Sequence, residues 1–207
     1  MEQKQGTPII GTHNSMTYLR PQKWYGWFMI PFARCQRKTI EQQWNDGARC
    51  FDLRIRFTKQ GEPYFAHGLY ECTHKANPAH VLEELYKLML RDNEQAYVRL
   101  ILEDPDKQNY NVYYFEQLCR VWETHQARQS VTVNNVLRFF GGNRKGDWTK
   151  LYVFKEDVPD SLNNQWVTSM ADDARWYEKF LPFAYALRCN KRNKAKVKPK
   201  FNLFDFI

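Results

Sequence analysis

The 207-residue sequence predicts an α/β protein built as one compact (β/α) barrel. Short segments rich in β-branched and aromatic residues alternate with helical patterns, which indicates a largely parallel sheet, either a barrel or a doubly wound sheet. Seven strand candidates favour the barrel, although about 250 residues is the usual size for eight full units. Because no repeat or low-complexity linker interrupts the sequence, residues 1–207 are expected to form one domain.

The strand candidates are short and either apolar or alternating, as the strands of a buried sheet should be. In chain order they are Thr7–His13, Ala48–Phe57, Pro63–Gly68, Tyr97–Asp104, Leu151–Lys155, Gln165–Met170 and Phe201–Ile207. Apolar residues at three- and four-residue steps predict three helices between them. These helices are Pro78–Asn93, Tyr113–His125 and Asp172–Cys189.

The composition excludes several other classes of protein. Aromatic residues make up 16% of the chain, which is too much apolar area for a disordered protein. The five cysteines are odd in number and scattered, so reduced thiols are expected rather than a disulfide framework. Cys72 and His74 lie one residue apart, but no second pair of ligands accompanies them, and no zinc site is predicted there.

The charge and hydropathy pattern limits the kinds of binding partner and the cellular location that we expect. No stretch approaches the ~20 apolar residues of a membrane span, and the start lacks a signal-peptide pattern. We expect a monomer that is cytoplasmic or released without a signal peptide. The formal net charge is +8, and basic residues cluster over 191–200. This cluster is interpreted either as a solvated loop or as an anion-attracting patch for lipid headgroups. Nucleic acid is not expected, because the cluster lacks interleaved aromatic residues.

Two histidines end strand candidates, His13 in IIGTHNS and His67 in YFAHG. Between them, Asp52 and Arg54 lie two residues apart in CFDLRIRF, which puts both on one face of a strand. Strand ends converge at one mouth of a parallel barrel, so the four residues are expected to share a site. Two imidazoles beside a guanidinium suit phosphodiester chemistry, one taking a proton, one giving a proton and the arginine binding the phosphoryl charge. Either histidine alone would more often be structural, so the combination carries the prediction.

At these residues the sequence resembles the X domain of phosphatidylinositol-specific phospholipase C, in its small single-domain, bacterial-type form. The segments that carry the resemblance are IIGTHNSMTY, CQRKTIEQQWNDGAR, GARCFDLRIRF, YFAHGLYEC and YVRLILED, with FNLFDFI similar to the last barrel strand. Residues 125–195 are much less similar. The resemblance implies a distorted TIM-type barrel that cleaves a phosphoinositide between phosphate and diacylglycerol. The inositol 2-hydroxyl would attack the phosphorus and form a cyclic inositol phosphate.

The resemblance also implies a role for each matching residue. His13 would be the general base and His67 the general acid. Arg54 would stabilise the phosphoryl charge, with Asp52 beside it as a supporting carboxylate. Asp205 falls where the family places the carboxylate that orients the base, which agrees with the need of a base histidine for a partner that fixes its tautomer.

Asn14 departs from the bacterial-type pattern, and Arg54 departs from the calcium-dependent one. Asn14 replaces an aspartate and, like Glu103, matches the calcium-dependent eukaryotic enzymes. Arg54, however, stands where those enzymes need a carboxylate, and a guanidinium inside a Ca²⁺ shell is electrostatically prohibitive. We therefore predict no metal or other cofactor, with Ca²⁺ as the alternative. Arg54 would stand in for the ion and pair with Glu103, unless Glu103 forms only a structural salt bridge. Because Asn14 is uncharged, we expect a less elevated pKa for His67 and slower turnover.

An aromatic stretch follows the first motif. It comprises Trp24, Tyr25, Trp27, Phe28, Met29, Ile30 and Phe32. The family carries a short amphipathic helix here that enters the lipid interface, where Trp and Tyr are favoured. Trp24 and Trp27 are predicted to be the exposed pair, and the partner to be phospholipid substrate at a membrane surface. The alternative is that several of these residues cover the barrel bottom or close a pocket.

Three functions remain open. The first is an active phosphoinositide phospholipase C. The second is a phosphodiesterase for another phospholipid or a glycosyl-phosphatidylinositol, and the third is a catalytically weak lipid-headgroup-binding module. Lys155 is a candidate headgroup contact, because the family often has a basic residue nearby, although it also fits an ordinary surface lysine.

Overall fold

The structure is a computed structural model that describes residues 9–103, 109–128, 138–143, 166–168, 175–178, 180–194 and 201–207. The strands are β1 (Ile9–Thr12), β2 (Cys50–Phe57), β3 (Pro63–His67), β4 (Tyr70–Glu71), β5 (Tyr97–Leu102), β6 (Arg138–Asn143), β7 (Trp166–Thr168) and β8 (Phe201–Phe204). The helices are α1 (Gly26–Ala33), α2 (Ile40–Asn45), α3 (Pro78–Asp92), α4 (Asn109–Arg128) and α5 (Pro182–Lys194). None of the described helices combines the length and apolarity needed to cross a bilayer.

The strands form a curled half-barrel sheet, which confirms the predicted α/β fold class. Parallel pairing runs in the order β6, β5, β2, β1, β8 and β7. A β3–β4 hairpin adds antiparallel pairing, with β3 lying against the final residues of β2. Because β1 pairs with both β2 and β8, the carboxyl ends of these three strands lie side by side.

β2 separates an apolar layer from a polar one. Phe51, Leu53 and Ile55 are fully buried and belong to a cluster with α2 and α3. Within that layer, the indole of Trp44 on α2 donates a hydrogen bond to Asp92 on α3 at 2.6 Å. The alternating residues Asp52 and Arg54 face the other side of the strand, away from these helices. The helix layer therefore fixes the strand that carries two of the candidate site residues.

Several element predictions need correction. The helix predicted over Asp172–Cys189 begins only at Pro182, and residues 175–178 form a turn. Proline lacks an amide proton and is best accommodated in the first turn of a helix, which explains this start. The same helix runs on to Lys194, so the start of the basic cluster is helical rather than a loop. The predicted strand Leu151–Lys155 and residues 195–200 lie outside the described residues.

The sequence analysis also missed two strands. β4 has only two residues, too few to show a pattern. β6 has the sequence RFFGGN, and glycine and asparagine are depleted in strands. All five cysteines are buried free thiols.

Candidate active site

His13 and Asp205 come together because β1 and β8 are parallel and in register. Thr12 pairs with Phe204, and the backbone N–H of His13 donates to the carbonyl of Phe204 at 3.0 Å. The residue after each strand is therefore a neighbour, and His13 Nδ1 lies 2.9 Å from Asp205 Oδ1. Since an ionised carboxylate only accepts hydrogen bonds, Nδ1 carries the imidazole proton and Nε2 keeps its lone pair.

Arg54 reaches His13 from the polar side of β2. Its Nη2 lies 2.8 Å from His13 Nε2, and its Nε donates to Asp52 Oδ2 at 3.3 Å. Burial opposes the charge of Arg54, but Asp52 and then Glu103 raise the pKa of the guanidinium above its usual value. Arg54 is therefore a permanent cation that donates a hydrogen bond to the Nε2 lone pair of His13.

Asp52 is completely buried, and its charge is balanced from two strands. Asp52 is paired across the sheet with Arg99 on β5, whose Nη1 lies 3.7 Å from Asp52 Oδ1. Burial alone would raise the pKa of Asp52, but Arg54, Arg99 and His13 together lower the pKa to about 2. The site therefore contains an ionised carboxylate that anchors Arg54.

Asn14 bridges the two histidines. Its backbone is in the left-handed region with φ 46°, which asparagine tolerates better than most residues. The backbone N–H donates to Asp52 Oδ2 at 3.1 Å and holds this turn in place. The side-chain Nδ2 lies 3.2 Å from His13 Nε2 and 3.3 Å from His67 Nε2. An uncharged amide thus occupies the space between the two imidazoles.

His67 faces His13 from the end of β3. The two ring centroids are 6.1 Å apart and the ring planes are nearly perpendicular, at 75°. His67 Nδ1 lies 2.8 Å from the carbonyl oxygen of Ala33, which can only accept, so Nδ1 is protonated and Nε2 points toward Asn14. Burial, followed by Arg54 and His13, lowers the pKa of His67 to about 3. The Nε2 atoms of both imidazoles thus point toward the amide of Asn14.

Glu103 contacts the site through Arg54 and through Gly68, the residue after His67. Its backbone N–H donates to Ile55 at the end of β2 at 2.9 Å. Its carboxylate accepts from Gly68 N at 3.1 Å and lies 3.7 Å from Arg54 Nη1. Arg54 therefore lies between the carboxylates of Asp52 and Glu103. Within the described ranges, neither of these two carboxylates belongs to a cluster of three metal-ligating side chains.

The aromatic stretch forms α1 and the turn before it. Trp24 is 76% exposed, Trp27 is 54% exposed and Phe28 is 72% exposed. Met29 and Ile30 instead pack against the core. Because Ala33 at the end of α1 accepts the hydrogen bond from His67, this exposed apolar surface is joined directly to the site. Lys155, the predicted headgroup contact, lies outside the described residues.

Three residues of the site escaped the sequence analysis. Cys35 Sγ lies 3.4 Å from Asn14 Nδ2, and Gln36 Nε2 donates to the carbonyls of His13 and Phe204 at 3.1 and 2.7 Å. Arg99 pairs with Asp52, as described above. No pattern within β5 alone singles out Arg99, because its contact with Asp52 depends on the register of β5 against β2. Cys35 and Gln36 follow a short helix and show no periodicity.

The fold resembles solved structures of bacterial enzymes. Phosphatidylinositol-specific phospholipase C from Listeria monocytogenes superposes with a TM-score of 0.53 and 17% identity, over 96% of this chain and 87% of that chain. A variant of the Staphylococcus aureus enzyme superposes with a TM-score of 0.61 and 15% identity, over 96% of this chain and 84% of that chain. No protein-family model and no curated protein matches the sequence. At this level of identity the similarity establishes the fold alone.

Proposed function

We propose that the protein cleaves a phosphoinositide to diacylglycerol and a cyclic inositol phosphate, without a metal. The observation that carries the proposal is the pair of imidazoles, His13 and His67, with ring centroids 6.1 Å apart and the guanidinium of Arg54 beside one of them. This arrangement offers a base, an acid and a fixed positive charge around one space. Two-histidine phosphodiester cleavage needs these three groups.

In the proposed reaction, Arg54 and Asn14 turn their N–H donors from the histidines to the phosphoryl oxygens of the bound substrate, and the freed Nε2 of His13 removes the proton of the inositol 2-hydroxyl. The hydroxyl oxygen bonds to phosphorus, and the bond from phosphorus to the diacylglycerol oxygen breaks. His67 Nε2 gives its proton to that leaving oxygen. Asp205 stabilises the imidazolium that forms on His13, because its carboxylate already accepts the Nδ1 proton at 2.9 Å. The protons balance, since one histidine gains the proton that the other loses.

His67 must be protonated to act as the acid, although its pKa is about 3 in the free site. Arg54 and His13 are among the causes of that low pKa, because they add positive charge nearby. A phosphodiester anion bound between the rings offsets this charge, so the pKa of His67 rises when substrate binds. Asn14 is uncharged and cannot raise the pKa of His67, so in this proposal the negative charge of the substrate raises it.

Arg54 takes the place that a metal ion would fill. The guanidinium lies 3.3 Å from Asp52 and 3.7 Å from Glu103, measured between the nearest nitrogen and oxygen atoms. Ca²⁺ favours six to eight oxygen ligands, and a guanidinium between the two carboxylates excludes it. The residues of the site therefore fit an arginine-based mechanism better than a calcium-based one.

The exposed surface of α1 supports a lipid substrate over a soluble phosphodiester. Trp24, Trp27 and Phe28 are exposed on the segment that ends at the carbonyl bonded to His67. Tryptophan side chains are favoured at the boundary between the headgroups and the acyl chains of a bilayer. We infer that this segment brings the site to the membrane surface as a peripheral contact.

The test is release of water-soluble inositol phosphate from phosphatidylinositol vesicles in EDTA, with His13→Ala as the control. Release by the wild type alone is expected, and a general base contributes about 10²–10⁴ in rate. Activity only after Ca²⁺ addition would overturn the metal-independent assignment. With no release in either condition, the same assay on other phospholipids and on a glycosyl-phosphatidylinositol distinguishes another substrate from a headgroup-binding module.

A further inference from the structure

Cys35 has no role in the proposed reaction, but it lies in a cluster with His13 and Asp205, which do have one. One ligand atom each of His13, Cys35 and Asp205 all lie within 4.8 Å of one another. In the described part of the chain, this is the one cluster of three or more such side chains. We propose that these three residues bind a thiophilic divalent cation of the Zn²⁺ type, and that the bound ion switches the site off.

The donor set selects the class of ion. A thiolate, an imidazole and a carboxylate are ligands of Zn²⁺ and Co²⁺, and a site with three protein ligands leaves a fourth position for water. Ca²⁺ and Mg²⁺ prefer oxygen ligands in larger numbers, so they should not compete. The thiolate and the carboxylate together neutralise the two charges of the ion. The thiol proton leaves to solvent when the ion binds, and the proton of His13 moves from Nδ1 to Nε2, so that the ligand is a neutral imidazole.

The geometry already provides one edge of the coordination polyhedron. His13 Nδ1 and Asp205 Oδ1 are 2.9 Å apart, close to the ~3.3 Å expected between two ligands at tetrahedral Zn²⁺. The ion would take the place of the proton that these two atoms now share. Cys35 Sγ needs to move closer to complete the third corner.

The segments that carry the three ligands are fixed to one another by hydrogen bonds. His13 N donates to the carbonyl of Phe204, and Phe206 N donates to the carbonyl of Cys35 at 2.7 Å. Cys35 N in turn donates to Thr17 Oγ1 at 2.9 Å. Cys35 and Asp205 are each 1% exposed, whereas His13 is 9% exposed, so the ion enters from the side of the active site.

Inhibition rests on the proposed function, whereas binding of the ion does not. An ion on Nδ1 of His13 separates the imidazole from Asp205 and withdraws electrons from the ring. The proton displaced to Nε2 also leaves His13 without the lone pair that a base needs, and it obliges Nη2 of Arg54, now 2.8 Å from Nε2, to turn away. The protein would therefore respond to free zinc with a loss of turnover that EDTA reverses.

The first measurement is optical and independent of catalysis. Co²⁺ is titrated into the metal-free wild type, Cys35→Ala and Cys72→Ala, and the thiolate-to-cobalt charge-transfer absorption is recorded. Cys72 is an equally buried thiol outside the cluster. We expect the band in the wild type and Cys72→Ala and its loss in Cys35→Ala. A wild type without the band, or a band that survives in Cys35→Ala, overturns the site.

The second measurement covers folding and activity. Zn²⁺ should raise the melting temperature of the wild type but not that of Asp205→Asn. This variant keeps the thiol, so it tests zinc binding even if Cys35→Ala does not fold. Inhibition is measured against the metal-free rate of each protein. Because Cys35→Ala lacks the thiolate, it should need at least about tenfold more Zn²⁺ for half-inhibition than the wild type. A cobalt band without lipid cleavage would contradict the proposed function alone. Lipid cleavage without a cobalt band would contradict the zinc site alone.

Discussion

Arg54 is the residue whose shape as well as charge matters to the proposed chemistry. Its Nη2 contacts His13, its Nε donates to Asp52 and its Nη1 faces Glu103. A lysine keeps the charge but presents a single nitrogen and loses this fixed geometry.

Arg54→Lys should therefore fold normally and lose about 10²–10³ in kcat, the range seen when one fixed transition-state donor is removed. Steady-state kinetics on phosphatidylinositol vesicles measures the loss. Arg56→Lys, two residues further along the same strand, is the matched control and should keep most of the activity. Equal losses in the two variants would count against a special role of Arg54.

His67 should make the protein less stable in acid. An unfolded chain protonates histidine near pH ~6.5, whereas the pKa of His67 is about 3 in the folded protein. Between these values the unfolded chain binds more protons, so the free energy of unfolding falls as pH decreases from 6.5 to 3.

His67→Gln should remove part of that fall. Urea unfolding at pH 7 and pH 4.5 is expected to show a smaller loss of stability in this variant than in the wild type. His80→Gln, which changes an exposed histidine on α3, serves as the control. An unchanged difference between the two pH values in His67→Gln would show that His67 is not buried as a neutral group.

At the level of single residues, the sequence predicted those site residues that end a strand or alternate along one. His13, His67 and the Asp52–Arg54 pair show both signals, and the structure brings them together. Arg99 needs the register of β2 against β5, and Cys35 needs the packing of a loop against β8. Neither can be read from one segment alone, because each depends on which segments become neighbours.

Among the elements, α1 carries the membrane hypothesis. Removing both Trp24 and Trp27 should weaken binding to phosphatidylinositol-containing vesicles by at least about tenfold, because a buried apolar side chain contributes about 1.5–3 kcal/mol. Vesicle co-sedimentation of Trp24→Ala/Trp27→Ala measures this change. Leu90→Ala, which changes an equally exposed apolar residue on α3, should bind as the wild type does. Unaltered binding of the double variant would remove α1 from the interface.

β1 lies so close to its neighbours that it leaves no room for a side chain at Gly11. A Cβ there would lie 2.6 Å from Cys50 Cβ and 2.9 Å from Leu203 Cδ2. Gly11→Ala should cost about 1–3 kcal/mol, as overpacking does, and should reduce activity by displacing His13. Thermal unfolding and the lipid assay measure the two effects. Gly47→Ala is the control. A Cβ at Gly47 would have no neighbour within 4 Å, but the φ of 95° disfavours alanine, so this variant should lose stability and keep its activity.

Element prediction succeeded where pattern and length agree. The helix at Pro78–Asn93 matches α3 to within one residue, because its apolar spacing, first-turn proline and asparagine cap coincide. The start of α5 was placed too early, since apolar spacing continues through the turn at residues 175–178. The short and glycine-containing strands β4 and β6 lack the composition on which strand prediction depends.

For the whole molecule, alternating strands and helices were enough to predict the class of fold. The antiparallel β3–β4 hairpin was not predicted, because a hairpin and a crossover differ in pairing rather than in strand composition. The net charge of +8 favours anionic surfaces without identifying one. The charge therefore supports the lipid assignment only together with the exposed residues of α1.

Because β1 pairs with β8, the proposed site should form late in folding. The contact between His13 and Asp205 joins residues 192 positions apart, and such long loops close slowly. Helices and the β2–β3 contact need only local encounters and should form earlier. On dilution from urea, far-ultraviolet circular dichroism should recover before lipid cleavage does, and simultaneous recovery would contradict this order. Catalytic competence would then mark the completed fold, so that no partly folded chain acts on a membrane.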